Sequence, residues 1–229
     1  IKKDNPFPAV CGAICHKYCE KECTRSSVDD PLAIDDIKMF IAQQDMKDEF
    51  RYVPEVIPCN RVGYDHKIAI IGSGPAGLSC AYFLALEGYK PTVFEKDKVL
   101  GGMMTTGIPT FRLEKDVVNA EIEILKELGI EFKTGVEVGK DVTIAELREQ
   151  GYKGFFVGVG LQNGGKLGIP GEDAAGVMSG IDFVRGVNLG TAKKLKGNVV
   201  VIGGGNIASD IARTAARWGA KKVKLYCLE

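Results

Sequence analysis

Twice in this chain a short β-branched run breaks at a glycine-rich turn and passes at once into a helical pattern, and few folds accommodate that arrangement twice. The first instance is "KIAIIGSGPAGLSCAYFLALEG", with Gly72, Gly74 and Gly77 at the turn; the second is "NVVVIGGGNIASDIARTAARWGA", with Gly203, Gly205 and Ala208 in the same places. In such a turn the first glycine permits the tight bend, the second lets the backbone approach a pyrophosphate, and the third, for which alanine is an accepted variant, lets helix and strand pack closely. "PTVFE" supplies the next strand of the first unit and "VKLYC" that of the second, so both read as βαβ units. Gly72 and Gly203 lie too far apart for one sheet read twice. The expected fold class is α/β, with two Rossmann-like nucleotide-binding folds preceded by a small helical segment.

The intervening sequence keeps the alternation. "EKDVVNAEIEILKELG" is an amphipathic helix ending at Gly129, with Val117, Ile122, Leu125 and Leu128 on or near one face. "IEFKTG" then reads as a strand, "TIAELREQG" as a short helix and "GFFVGVG" as an apolar strand. Upstream, Asp30 before Pro31 is a plausible helix start, and Ile34, Ile37, Phe40 and Ile41 recur at helical spacing, a helix expected to pack over whatever the nearby cysteines hold. Residues 49–66 carry two prolines and no sustained period, so they read as an extended connector. The expected division is a partial helical segment at 1–48, the connector at 49–66, an incomplete first nucleotide fold at 67–190, and the start of a second at 191–229.

The chemistry expected of the two turns follows from their spacing. In the first, Gly72, Ser73, Gly74, Pro75, Ala76 and Gly77 form a loop whose helix N-terminus faces an anion with unpaired N–H groups. Glu95, with Lys96 beside it, closes the following strand where a carboxylate can accept hydrogen bonds from ribose hydroxyls. In the second turn Gly203, Gly205, Asn206 and Ile207 are the corresponding candidates. Recognition of a 2′-phosphate needs arginine or lysine near the end of the next strand, and that end reads Tyr226, Cys227, Leu228, Glu229. NADH is therefore slightly favoured over NADPH, with Lys221 and Lys222 on the other side of the comparison.

Ahead of both turns, "CGAICHKYCEKEC" sets Cys11, Cys15, Cys19 and Cys23 at a strict interval of four. Seven cysteines are an odd number and no export signal precedes them, so a disulfide framework is the weaker account. Zinc is an alternative, but its structural sites usually join two close pairs across a longer loop. Four thiols this close look more like iron–sulfur ligation. Thirty basic and thirty acidic residues cancel, so no overall field attracts nucleic acid or an anionic membrane. No apolar run approaches the roughly 20 residues of a membrane span, so no membrane insertion and a cytoplasmic location are expected.

With these residues in hand, the chain resembles the family of the small (beta) subunit of glutamate synthase, the N-terminal half of dihydropyrimidine dehydrogenase and the large subunit of NADH-dependent ferredoxin:NADP oxidoreductase. The resemblance covers nearly the whole chain and rests on "NPFPAVCGAIC" with "CEKEC", on "DPLAIDDIKMFI", on the first glycine turn, on "LGGMMTTGIPTFRL" and on the second turn. It implies FAD in the first fold: Gly72 to Gly77 on the pyrophosphate, Glu95 on the ribose, Gly102 and Met103 along the flavin, Arg112 also in contact, and Val138 at the adenine side through its backbone. It implies NADH or NADPH in the second fold. It implies that Cys11, Cys15, Cys19 and Cys23 help to ligate two 4Fe-4S clusters with an upstream cysteine group, and that Lys38 stands where several relatives have a Gln or Glu ligand. The implied activity is an NAD(P)H-dependent flavin oxidoreductase passing electrons to a partner subunit or ferredoxin. A bifurcating-type subunit and a non-catalytic nucleotide-binding module are the alternatives. No catalytic acid or base is implied, and the 229 residues are expected to be an internal portion of a longer polypeptide.

Overall fold

The computed structural model describes residues 1–57 and 66–228. Cys59 and Glu229 lie outside the described residues. Four parallel strands form the first sheet in the order β3-β2-β1-β4: β1 (Lys67–Ile71), β2 (Pro91–Glu95), β3 (Glu131–Thr134) and β4 (Tyr152–Val157). β2 is buried along its whole length, as a parallel strand covered on both faces should be. The helix α4 (Pro75–Leu86) follows β1 directly, with Pro75 in its first turn where a missing N–H costs nothing. The helix α6 (Lys115–Glu127) leads into β3, and α7 (Ile144–Glu149) leads into β4. α7 opens on a capping box in which Thr143 and Glu146 satisfy each other's backbone N–H groups.

A second, two-stranded parallel sheet pairs β5 (Asn198–Ile202) with β6 (Lys222–Tyr226), joined by α9 (Asn206–Arg217). Two helices were not expected from the sequence. One is α5 (Met103–Thr106), a single turn inside the segment after the Gly-Gly pair; the other is α8 (Gly180–Asn188). Phe183 and Val184 of α8 share an apolar cluster with Ala215 of α9, Val199 and Val223, so this helix belongs by packing with the second sheet. Trp218 anchors the end of α9 in the same cluster, donating its indole N–H to the Ala192 carbonyl under the Lys194 ammonium.

The cysteine segment folds as α1 (Pro8–Ile14), α2 (Tyr18–Lys21), a 3-10 turn at Thr24–Ser27 and α3 (Ile34–Lys47). α3 begins after Ala33, later than the Asp30-Pro31 start that the sequence suggested. Asp35, Met39 and Ala42 turn inward, and Met39 lies so close to α1 that a Cβ on Gly12 would sit 2.8 Å from its sulfur. Ile34, Ile37, Phe40 and Ile41 are exposed instead. α1 is not a separate layer: Phe7 and Val10 are buried in the main core with Leu78, Tyr82, Leu113, Val118, Ile122 and Leu125. Burying each such side chain contributes about 1.5–3 kcal/mol relative to leaving it in water.

Candidate functional site: two glycine cradles and a cysteine segment

At the first turn the chain demands glycine for two different reasons. Gly72 has φ +101° and any Cβ there would lie 2.4 Å from the Gly158 carbonyl oxygen; a Cβ on Gly77 would lie 1.9 Å from the Gly72 oxygen. Those two positions hold β1, β4 and α4 together. At Gly74, the residue preceding α4, a Cβ would meet nothing within 4 Å, so the space above it is open. Ser73 and Glu95 lock the turn from behind. Glu95 is only 3% exposed; one carboxylate oxygen accepts from the Ser73 N–H at 2.8 Å and hydroxyl at 2.6 Å, and the other accepts from the Asp97 N–H at 2.9 Å. Beside them a cleft of about 170 Å³ is lined by Gly72, Glu95, Lys96, Val138, Val159 and Gln162 among others.

The Gly-Gly segment closes on this turn from the other side. Gly102 has φ +52°, and a Cβ there would sit 2.7 Å from the Cα of Gly74. Gly101 donates to the Ser73 carbonyl at 3.1 Å. Met103 folds back over Gly107 at the start of α5, and Lys115 clamps the segment by donating to the carbonyls of Met104 at 2.9 Å and Ile108 at 2.5 Å. Burial pushes the Lys115 pKa down to about 8. Arg112 pairs with Asp210 of α9 at 2.7 Å, while Phe111 stacks against Arg213 and Arg217.

The second turn repeats the geometry more openly. Gly203 has φ +134° and donates to the Tyr226 carbonyl at 2.7 Å, and space around Gly205, the residue preceding α9, is free to 4 Å. Asn206 and Ile207 open α9 and are exposed. Both cradles thus offer helix N–H groups and room for a close-approaching anion, which fits a dinucleotide pyrophosphate in each.

The cysteine segment presents thiols of the right chemistry. All six described cysteines are free; Cys15 and Cys19 are exposed, Cys11 and Cys23 half-buried. The Cys15 sulfur accepts from the Lys17 N–H at 3.4 Å, and Lys17 itself adopts the left-handed region at φ +56°. Hydrogen bonds from the backbone at Leu32, then Arg25, lower the Cys23 pKa against a small desolvation penalty, the environment a thiolate ligand needs. Among the described residues, no group of three or more His, Cys, Asp or Glu side chains converges on one point. The four thiols therefore fit a cluster in donor type but do not make one closed ligand set. Lys38 pairs with the buried Asp35 at 2.6 Å; burial works against its charge, but Asp35 and then Cys15 and Cys11 outweigh it and raise its pKa.

Of the residues singled out in the sequence, the structure brings Gly72, Ser73, Gly74, Pro75, Ala76, Gly77, Glu95, Lys96, Gly102 and Val138 around the first turn and its cleft. Gly203, Gly205, Asn206 and Ile207 stand at the second. Glu121 escaped notice altogether. It is 1% exposed, and its two carboxylate oxygens accept from the N–H groups of Ala9 at 2.8 Å and Val10 at 3.1 Å. Burial pushes its pKa up to about 7, against the pull of those N–H groups, Lys2 and Arg51. A carboxylate one position from Ile122 in an apolar stripe was the available signal.

Comparison with known proteins agrees with this layout. Residues 66–228 match the pyridine nucleotide-disulphide oxidoreductase family, and residues 1–50 match the 4Fe-4S cluster domain II of dihydropyrimidine dehydrogenase. The beta subunit of NADP(+)-dependent formate dehydrogenase from Moorella thermoacetica is 40% identical, over 98% of this chain and 34% of its own length. The small chain of NADPH glutamate synthase from Halomonas elongata is 39% identical, over 96% of this chain and 48% of its own. Among solved structures, a variant of FprA from Mycobacterium tuberculosis superposes with a TM-score of 0.56 at 28% identity, covering 65% of this chain and 36% of that one. The chain spans between a third and a half of the length of these two curated relatives. Among the described residues no helix is long and apolar enough to cross a membrane.

Proposed function

Because this chain belongs to the pyridine nucleotide-disulphide oxidoreductase family, we propose that it is the electron-input part of an NAD(P)H-dependent flavin oxidoreductase, related to glutamate synthase small chains, that serves an electron-accepting partner subunit or ferredoxin. The observation that carries this is the segment 101–112. It touches the first glycine turn through Gly102 and the helix of the second through the Arg112–Asp210 ion pair, so one short stretch of chain ties the two open cradles together.

In this proposal Gly72 to Gly77 and Gly102 hold the flavin pyrophosphate and ring side, Glu95 faces the ribose, and Val138 lines the adenine end. Gly203, Gly205, Asn206 and Ile207 hold the nicotinamide nucleotide. Bound FAD would supply the chemistry, namely acceptance of a hydride from reduced nicotinamide with a proton from solvent, and release of two electrons singly to an acceptor with two protons to solvent. The chain's own residues bind, orient and shield. Cys11, Cys15, Cys19 and Cys23 would serve as part of the ligand set for 4Fe-4S clusters, which would supply acceptors for single electrons.

Two measurements test this on the full-length polypeptide purified without oxygen. Flavin bleaching is followed in a stopped-flow instrument with NADH and NADPH side by side. Bleaching by either supports the proposal, and bleaching by neither overturns it. NADH is expected to be at least as effective, since Tyr226, Cys227 and Leu228 put no cation at the end of β6; a tenfold advantage for NADPH would overturn that preference alone. Separately, Cys19→Ser is expected to lower iron by roughly four atoms per polypeptide while flavin content stays unchanged. Iron equal to that of the parent protein would remove Cys19 from the ligand set.

A further inference from the structure

The cysteine segment and the flavin unit meet at a buried polar joint that the proposed electron path does not by itself require. From α6, Glu121 accepts from both Ala9 and Val10 N–H, immediately before Cys11 in α1. Around it, Lys2 donates to Asp45 at 2.6 Å and to the Tyr52 carbonyl at 2.9 Å. Arg51 donates to Asp45 at 3.2 Å and to the carbonyl of Ala120, the residue before Glu121, while the Tyr82 hydroxyl in α4 donates to the Lys2 carbonyl. Asp45 sits near the end of α3, so the joint ties α1 and α3 of the cysteine segment to α4 and α6.

We infer that Glu121 is a positioning residue: through Ala9 and Val10 it fixes the helix carrying Cys11 against the flavin unit, and so sets the placement of the thiol segment relative to the first cradle. An acid is needed here for a geometric reason. Each carboxyl oxygen keeps a lone pair for one N–H whether or not the group is protonated, whereas an amide nitrogen has none. Leucine or glutamine at this place would bury one or two backbone N–H groups without acceptors, and such groups are costly to leave unmade. Apolar packing of Phe7 and Val10 holds α1 to the core in a general way; Glu121 selects one register within that contact.

The inference rests on the proposed function only for its electron-transfer consequence, so the test has two independent arms. In the full-length protein, Glu121→Gln and Glu121→Asp are compared with the parent. Amide hydrogen exchange of residues 7–15 reads the joint directly and needs no assumption about activity. Glu121→Gln is expected to speed exchange there by on the order of tenfold or more, the loss of one buried hydrogen bond, with exchange in β1 and β2 unchanged. In the second arm, rapid mixing separates flavin bleaching by the nicotinamide nucleotide from the later reappearance of oxidised flavin as electrons leave. Bleaching is expected to hold within about twofold while electron departure slows by on the order of tenfold in Glu121→Gln, with partial recovery in Glu121→Asp. Unchanged exchange at residues 7–15 overturns the positioning role. Altered exchange with unchanged electron departure overturns its link to electron transfer, and absence of bleaching in the parent protein counts against the proposed function instead.

Discussion

Gly77→Ala is expected to cost the protein its first cradle and much of its stability, whereas Gly74→Ala is expected to cost it only the flavin. The two residues sit in one turn, three positions apart, and the same methyl group meets opposite surroundings. At Gly77 it would lie 1.9 Å from the Gly72 carbonyl oxygen, a backbone atom that can yield only if β1 and α4 separate. Overpacking of that kind destabilises by about 3 kcal/mol, corresponding to a fall of roughly 6–12 °C in Tm for a chain of this size. At Gly74 the methyl meets open space, and the residue's φ of −69° is one any residue adopts. Stability of the flavin-free protein should change by less than about 1 kcal/mol. What is lost is the close approach of a pyrophosphate to helix N–H groups, and flavin affinity should fall about ten- to hundredfold. Thermal melts of the flavin-free proteins, paired with titration of FAD by quenching of its fluorescence, distinguish the two. Equal melting losses in both variants would contradict the geometry of the turn.

Glu95→Ala should be nearly as damaging, by a different route. Removing the carboxylate strands the Ser73 N–H, the Ser73 hydroxyl and the Asp97 N–H in a place where Glu95 itself is only 3% exposed. Each buried donor without an acceptor costs about 1–3 kcal/mol, and water entering the cleft can relieve part of that, so a loss of about 3 kcal/mol is expected. Glu95→Gln keeps the shape but must turn an amide NH₂ toward one of the donor groups. It should fold, bind FAD at least tenfold more weakly, and leave the second cradle untouched. A Glu95→Ala protein with the parent's melting temperature and FAD affinity would show that the Ser73–Glu95–Asp97 cluster does not shape the turn.

Much of this was visible in the amino-acid order, because glycine turns between a β-branched run and a helical run have a local cause. Gly72 and Gly203 need positive φ, and every strand named from the sequence is present. What stayed hidden depended on contacts between distant residues. α8 reads "GIDFVRGVN", with two glycines and three β-branched residues, a poor helix on its own; Phe183 and Val184 make it one by packing on Ala215. The inward face of α3 was hidden in the same way: Met39 lies against Gly12 of α1, while the apolar residues Ile34, Ile37, Phe40 and Ile41 are exposed. Glu121 reads as one more solvated charge until Ala9 and Val10 are brought to it from the far end of the sequence. Arg112 lay in the expected segment but found Asp210 across the chain.

One face of the β5–β6 ribbon remains bare. Val200, Ile202 and Tyr226 are 58%, 66% and 54% exposed, side by side on strands whose outer backbone edges carry no partner among the described residues. Oily ribbons with open edges invite copies of themselves, so these 229 residues expressed alone would face clumping and inclusion bodies as a practical hazard. Bench work on either cradle therefore starts from a fusion that shields that ribbon.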